Sequence, residues 1–447
     1  MSETLVNHEF EANNLQDLEN SVRFIQIEPT THCNFTCKFC CGRHMAQSNL
    51  SFETFVQTLD QFPDLEHIEL QGEGEPLLHP QFFEMAKLAQ NRGIKVSIIT
   101  NGSMFSPQRI QKILDCGIEA IRVSIESPDP QEFREIRGGR LENIIEGIQA
   151  LLKSRNDLGR ENPTVGFAVT VLQQTKKQLP AIARLYDQLE MDGGIQFHLL
   201  SSMDSYTQIY DQTMSNQFLS TIEATLVWSQ YVKIIQSPQH HRSQIKHFYD
   251  ELGELCAYPK RDHTGKDKFL VRVFRSCPSL DSSLYVNRYG IATGCCKIKD
   301  TEQFALGKID LNSIEEIINA RNQIRQQVRS GIVPAACRHC FVAESISARL
   351  SNLLHKKPKR LTGSSLTSTK NSTNSTNASK QINPQVIGYI PYEESIFEAI
   401  LPFGDGETTC DEIIQQVCQK YGLDIKEGKM KVLPAIDELV RRKVIVI

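Results

Sequence analysis

No apolar run in this chain approaches the ~20 residues that a membrane-crossing helix needs, so no span is expected. The first residues, Met1-Ser2-Glu3-Thr4-Leu5, lack the apolar stretch of a secretory signal. No long basic stretch exists outside His355-Lys356-Lys357-Pro358-Lys359-Arg360, and the net charge is −4. A general nucleic-acid or membrane surface is therefore not expected, and the basic run reads as a solvated helix end. Cysteine is not scarce. Thirteen cysteines with no export signal point to reduced thiols or metal sites rather than disulfides, and to the cytoplasm. At 447 residues the chain has room for two or three domains.

Three of the cysteines fall in one short segment, Thr31-His32-Cys33-Asn34-Phe35-Thr36-Cys37-Lys38-Phe39-Cys40. A cubane iron–sulfur cluster binds thiolates one to each iron. Three thiolates within eight residues hold three irons and leave the fourth open to a small chelating ligand. Close thiols also serve zinc half-sites and redox pairs. The C-x3-C-x2-C spacing, with an aromatic residue before the last cysteine, resembles that of the radical S-adenosylmethionine (SAM) superfamily. The resemblance implies a [4Fe-4S] cluster on Cys33, Cys37 and Cys40 whose open iron takes the amino and carboxylate groups of SAM. An electron from a flavodoxin- or ferredoxin-type donor then splits SAM to a 5′-deoxyadenosyl radical.

The flanking sequence agrees. Short apolar runs at Val22–Ile27, His67–Gln71, Lys95–Thr100, Ala120–Ile125, Thr164–Val171 and Ile195–Leu200 alternate with amphipathic stretches at Ser51–Phe62, Pro80–Arg92, Pro107–Cys116, Leu141–Ser154 and Lys176–Glu190. This is the pattern of parallel β/α units, too few for a closed eight-fold barrel. It matches the α/β partial (β/α)6 TIM-like barrel of the resembled family, with the cysteines just past the first strand, at the end where barrels carry their chemistry. Leu70-Gln71-Gly72-Glu73-Gly74-Glu75-Pro76-Leu77 resembles the family's GGEP-type motif, Glu73 replacing a frequent glycine. The resemblance implies that Gly74 and Glu75 accept from the SAM ammonium. It implies too that Asn101 and Ser124 line its methionine and ribose, that Arg137 pairs with its carboxylate, and that Phe39 packs on the adenine. His32 reads as an ordinary loop histidine, and Cys41 and Cys116 as small buried hydrophobes. No catalytic residue is singled out.

A second set, Cys277, Cys295, Cys337 and Cys340, surrounds a strand–turn–strand pattern at Leu284–Ile291 and a helix from Ser313 to about Arg329. Four thiolates suit tetrahedral zinc. The arrangement resembles the SPASM/twitch extensions of radical SAM enzymes, in the form that holds one fully ligated auxiliary [4Fe-4S] cluster. Cys295 fits the typical pattern better than Cys296, and Cys256 supplies an extra ligand or none.

Fifteen of the 22 residues of 362–383 are Ser, Thr or Asn, a composition that cannot bury a core. A coil of that length has an r.m.s. span of roughly 25 Å, enough to tether a terminal domain near a barrel mouth. Beyond it, helix-like Tyr392–Leu401, Thr409–Tyr421 and Leu433–Arg442 end in a short strand, Val444–Ile447, with another strand at Gln385–Ile390. The segment from Gly404 to Ile414 resembles PqqD-like winged helix–turn–helix domains, which imply a bound leader peptide; dimerisation or packing is the alternative use. The expected organisation is 1–200 barrel, 201–270 helical connection, 271–355 auxiliary-cluster module, 356–383 linker and 384–447 terminal domain. The resemblance implies modification of a ribosomally made precursor peptide by oxidation or cross-linking. A twitch-type dehydrogenase of a small molecule, or an accessory protein acting on a protein partner, is the alternative.

Overall fold

The computed structural model describes residues 21–210, 212–220, 223, 227, 260–261, 267–268, 276–360, 400–403, 406–441 and 445–446. Cys256, the run 362–383, the strand expected at 385–390 and all but the last residues of the helix expected at 392–401 lie outside them. Two compact units form: Asn20–Val273 with Pro278–Arg321, and Phe274–Cys277 with Asn322–Ile447.

Six parallel strands organise the first unit: β1 (Phe24–Ile27), β2 (His67–Leu70), β3 (Lys95–Thr100), β4 (Ala120–Ser124), β5 (Thr164–Val171) and β6 (Ile195–Leu199), in sheet order 1-2-3-4-5-6. Register puts Ile27, Leu70, Ile98, Ile121 and Val165 in one row, all buried. The neighbouring row carries Gln26, Glu69 and Ser97, so alternate residues make one face apolar and the other polar. The connecting helices are Phe52–Gln61, Phe82–Asn91, Pro107–Asp115, Leu141–Asp157 and Leu179–Gln188, within a few residues of the expected stretches. Ser51 and Ser106 accept from the backbone three residues on and cap two of them. An additional helix, Pro130–Arg137, starts at an Asp129 cap with proline in its first turn and ends at Gly138, whose φ of 78° is in the left-handed region.

The hairpin expected in the auxiliary module joins this sheet. Strand Ser283–Val286 pairs in parallel with β1, and Ile291–Thr293 and Gly307–Lys308 continue antiparallel, giving nine strands. The Asn287–Gly290 turn consequently stands at the same end of the sheet as the cysteine loop.

In the second unit the helices Phe341–Leu353, Cys410–Tyr421 and Ile425–Arg441 bury Ile346, Leu350, Ile413, Ile414, Val417, Leu433, Ile436 and Leu439. Thr409 and Glu412 form a reciprocal capping box. The last helix begins eight residues before the expected one and runs through Pro434. Arg349 pairs with Asp437, and Ser330 donates to the Met430 carbonyl. Strand Lys359–Arg360 pairs antiparallel with Ile445–Val446. Gly406, Cys410 and Asp411 donate backbone N–H bonds to the carbonyls of Pro358, Lys356 and Leu354. The chain thus departs at residue 360 and returns at residue 406 to the same place, and the terminal helices are packed against what precedes the Ser/Thr/Asn-rich run rather than held at its far end. Among the described residues, no helix is long and apolar enough to cross a membrane.

Candidate metal centre

Cys33, Cys37 and Cys40 follow β1 on a loop that two neighbouring segments fix in place. On one side Thr36 and Lys38 donate backbone N–H bonds to the carbonyls of Arg137 and Ile136, so the loop lies along the end of helix Pro130–Arg137. A Cβ at Gly138 would meet Thr36 Oγ1 at 2.3 Å, and one at Gly139 would meet the Phe35 ring at 2.2 Å. Only glycine permits that approach. On the other side a Cβ at Gly74 would lie 2.4 Å from the Thr30 carbonyl oxygen and 2.7 Å from that of His32. Glu75 N–H donates to the His32 carbonyl at 2.9 Å.

Burial pushes the thiols of Cys33, Cys37 and Cys40 upward, and neighbouring carboxylates add to it. Thiolates here need positive charge on the loop, which the irons of a cluster supply, so this donor set fits one. Among the described residues no three His, Cys, Asp or Glu side chains converge on one ion. A cubane takes its thiolates on separate irons, so its ligands need not meet at one point.

Two ion pairs stand by the loop, one buried and one half-buried. Arg137, expected to meet a ligand carboxylate, meets one from its own chain: its Nε and Nη2 donate to Glu126, which is fully buried. Its Nη1 lies 3.6 Å from Cys37 Sγ, and its guanidinium covers the Phe39 ring at 5.4 Å. A guanidinium so deeply buried is strongly destabilising without such a partner. Phe39 packs against Ile136, Leu172, Leu200 and Met214, an apolar patch beside the loop. The second pair was not foreseen. Glu73 is bound by Lys299 Nζ at 2.7 Å and accepts from Tyr206 Oη at 2.9 Å, while its Oε2 lies 3.8 Å from Cys40 Sγ. Burial would raise the Glu73 carboxyl, but Lys299 outweighs it and holds the group below its ordinary range. The only sequence signal was that Glu73 occupies a place where glycine is frequent.

The remaining expected contacts are placed as follows. The Glu75 carboxylate accepts from Thr100 Oγ1 and Asn101 N–H, both at 2.7 Å, and from Leu77 N–H, so it clasps the end of β3 to the turn after β2. Asn101 donates to Asn34 Oδ1 at 2.9 Å and stands 3.9 Å from Cys33 Sγ. Ser124 is buried at the end of β4. Cys41 is buried beside Glu73 and Cys116 is buried under the Ile113 carbonyl. Of the second cysteine set, Cys295 belongs to the barrel unit, and Cys277, Cys337 and Cys340 to the other. A hydrogen bond from Cys296 lowers the Cys295 thiol and raises that of Cys296. Cys340 N–H donates to the Cys337 carbonyl, a tight turn that brings the two residues together.

Residues 27–186 match the radical SAM superfamily, and residues 277–341 match the SPASM iron–sulfur cluster-binding domain. The chain therefore carries a region that matches radical SAM domains followed by one that matches SPASM domains, and the proteins it resembles in these regions are enzymes. The first domain implies a [4Fe-4S] cluster and SAM, and the second implies auxiliary iron–sulfur ligation. The chain is 28% identical over 185 residues to the tungsten-containing aldehyde ferredoxin oxidoreductase cofactor-modifying protein of Pyrococcus furiosus, covering 40% of this chain and 52% of that protein. It is 23% identical over 266 residues to a probable GTP 3′,8-cyclase of Methanococcus aeolicus, covering 54% of this chain and 88% of that one. The match thus spans about half the length of the first of these relatives. Among solved structures, Streptococcus suis SuiB bound to precursor peptide SuiA superposes with a TM-score of 0.56 at 15% identity, covering 77% of this chain and 75% of that one. At that identity the likeness is one of fold.

Proposed function

We propose that this enzyme reductively cleaves SAM and uses the resulting radical to modify a ribosomally synthesised precursor peptide, by oxidation or cross-linking. One observation carries the SAM half: three thiols on a single loop at the C-terminal ends of parallel strands, with a glycine turn after β2 pressed against the same loop. When bound, the cluster and SAM supply a 5′-deoxyadenosyl radical that takes a hydrogen atom from the substrate. Cys33, Cys37 and Cys40 hold the cluster, and Phe39, Gly74, Asn101 and Ser124 border the SAM. Glu75 acts through Asn101 by fixing its backbone, and Arg137 steadies the loop from the side of Cys37. Cys277, Cys295, Cys337 and Cys340 are the proposed auxiliary ligands. A flavodoxin- or ferredoxin-type donor supplies the electron, and the reaction runs in the cytoplasm.

The peptide half rests on the fold shared with SuiB, whose structure contains its precursor peptide. It rests also on the terminal helices, proposed here as a PqqD-like leader-binding domain. The match covering most of a GTP 3′,8-cyclase favours the second reading, a small-molecule substrate.

Anaerobically reconstituted protein, reduced chemically, is expected to release 5′-deoxyadenosine and methionine from SAM. Single Cys33→Ala, Cys37→Ala and Cys40→Ala variants are expected to release none. The wild type should carry about eight irons and the triple variant about four, since each cubane holds four. Cleavage surviving in all three single variants would refute the assignment.

A further inference from the structure

Four acidic side chains stand at or near the C-terminal ends of the barrel strands, and each has a cation. Glu28 takes Arg288 at 3.1 Å, Glu69 takes Arg122 at 3.9 Å, Glu126 takes Arg137, and Glu73 takes Lys299 at 2.7 Å. The first three have roles in packing or in seating the loop. The fourth is placed differently, because Glu73 is the carboxylate whose oxygen lies 3.8 Å from the sulfur of a proposed cluster ligand, Cys40.

The cost of that placement is electrostatic. A cluster held by three thiolates gains one further negative charge when it is reduced. A carboxylate within 4 Å of a ligand sulfur, in surroundings largely shielded from water, opposes that gain strongly. Lys299 cancels it. Its Nζ binds Glu73 Oε1 and stands 5.8 Å and 5.1 Å from the ring centroids of Tyr206 and Tyr285, so that aromatic faces surround the ammonium. Tyr206 adds a hydrogen bond to the same carboxylate oxygen from the short helix Asp204–Thr207 after β6. Ser205 of that helix donates to the Lys297 carbonyl at 3.1 Å, so the segment carrying Lys299 is itself held against the barrel.

We propose that Lys299, with Tyr206 bracing the same carboxylate, neutralises Glu73 and so keeps that carboxylate from lowering the reduction potential of the cluster on Cys33, Cys37 and Cys40. Lys299 is a positioning residue: it acts on the Cys40 side of the loop through Glu73. It lies four residues past Cys295, so the charge that keeps the first cluster reducible comes from the SPASM-matching part of the chain. The inference rests on the cluster assignment above.

The test is a redox titration of the anaerobically reconstituted full-length protein, following the paramagnetic resonance signal that added SAM perturbs. Glu73→Gln removes the negative charge and is expected to move the midpoint to a more positive potential. Lys299→Gln leaves the carboxylate uncompensated and moves it to a more negative one. The double variant Glu73→Gln/Lys299→Gln restores neutrality with side chains of similar shape and returns the midpoint close to wild type. A purely structural pair would lower iron content without this reversal of sign. Equal midpoints in wild type and Glu73→Gln, or a double variant far from wild type, would overturn the inference while leaving the cluster assignment standing. Failure of the wild type to assemble any SAM-perturbed cluster would overturn both.

Discussion

A charged side chain can stay ionised inside this barrel only beside its opposite, and the sequence does not say which residues meet. The grouping of Cys33, Cys37 and Cys40 on one loop was legible because it is written in local spacing. Glu126 and Arg137 are eleven residues apart, yet only the turn from β4 into helix Pro130–Arg137 brings them together. Tyr206 is 133 residues from Glu73 and meets it only after six strands have aligned. His198 on β6 shows the reverse case, an imidazole kept neutral. Burial lowers its pKa to about 3, and the nearby Lys297 and Arg122 cations push the same way. The unfolded chain protonates this histidine near pH 6.5. Between those values the unfolded state binds more protons, so this contribution is complete above about pH 6.5 and declines as pH falls toward 3. His198→Gln is therefore expected to lose less thermal stability than wild type between pH 7 and pH 5. Melting curves at matched iron content would show it, and parallel losses would exclude the effect.

At the scale of elements, period and punctuation served well. The apolar runs became β1 to β6, and the amphipathic stretches became the helices between them. Helix Pro130–Arg137 escaped notice because eight residues give little periodicity, and its end was read only as a source of Arg137. That end is what the cysteine loop lies on. The pairing of Ser283–Val286 with β1 was equally hidden, since parallel pairing over such a separation leaves no local mark. Both sides of the loop depend on glycine. Gly74→Ala would press a methyl group into three backbone atoms of residues 30–32, none of which can swing aside. Overpacking of this kind costs about 1–3 kcal/mol, and the shift falls on the segment leading into Cys33. The expected result is a lower denaturation midpoint together with loss of iron from the first cluster. Full iron at wild-type stability would show that the close approach is not needed.

For the whole molecule, the barrel and the cysteine-rich region were readable, but the division between them was not. The SPASM match at 277–341 falls inside the module expected at 271–355, while by contacts Pro278–Arg321 groups with the barrel, because the hairpin continues its sheet. The terminal region differs in kind. A polar run suggested a tether, whereas Leu354, Lys356 and Pro358 accept hydrogen bonds from Asp411, Cys410 and Gly406. Strand Lys359–Arg360 is completed by residues 445–446.

Residues 354–360 and 406–411 are thus bolted to each other independently of the chain between them. Lengthening the Ser/Thr/Asn-rich run is expected to cost little, about 0.6 kcal/mol of closure entropy for each doubling of a flexible loop. A protease site inserted in the Ser/Thr/Asn-rich run and then cut should yield two polypeptides that still travel as one species on size exclusion, with SAM cleavage unchanged. A terminal fragment that drifts away after cutting would show that covalent attachment was holding it. If it stays, the last helices form a detachable part of the enzyme, one that could be exchanged between related chains by simple mixing.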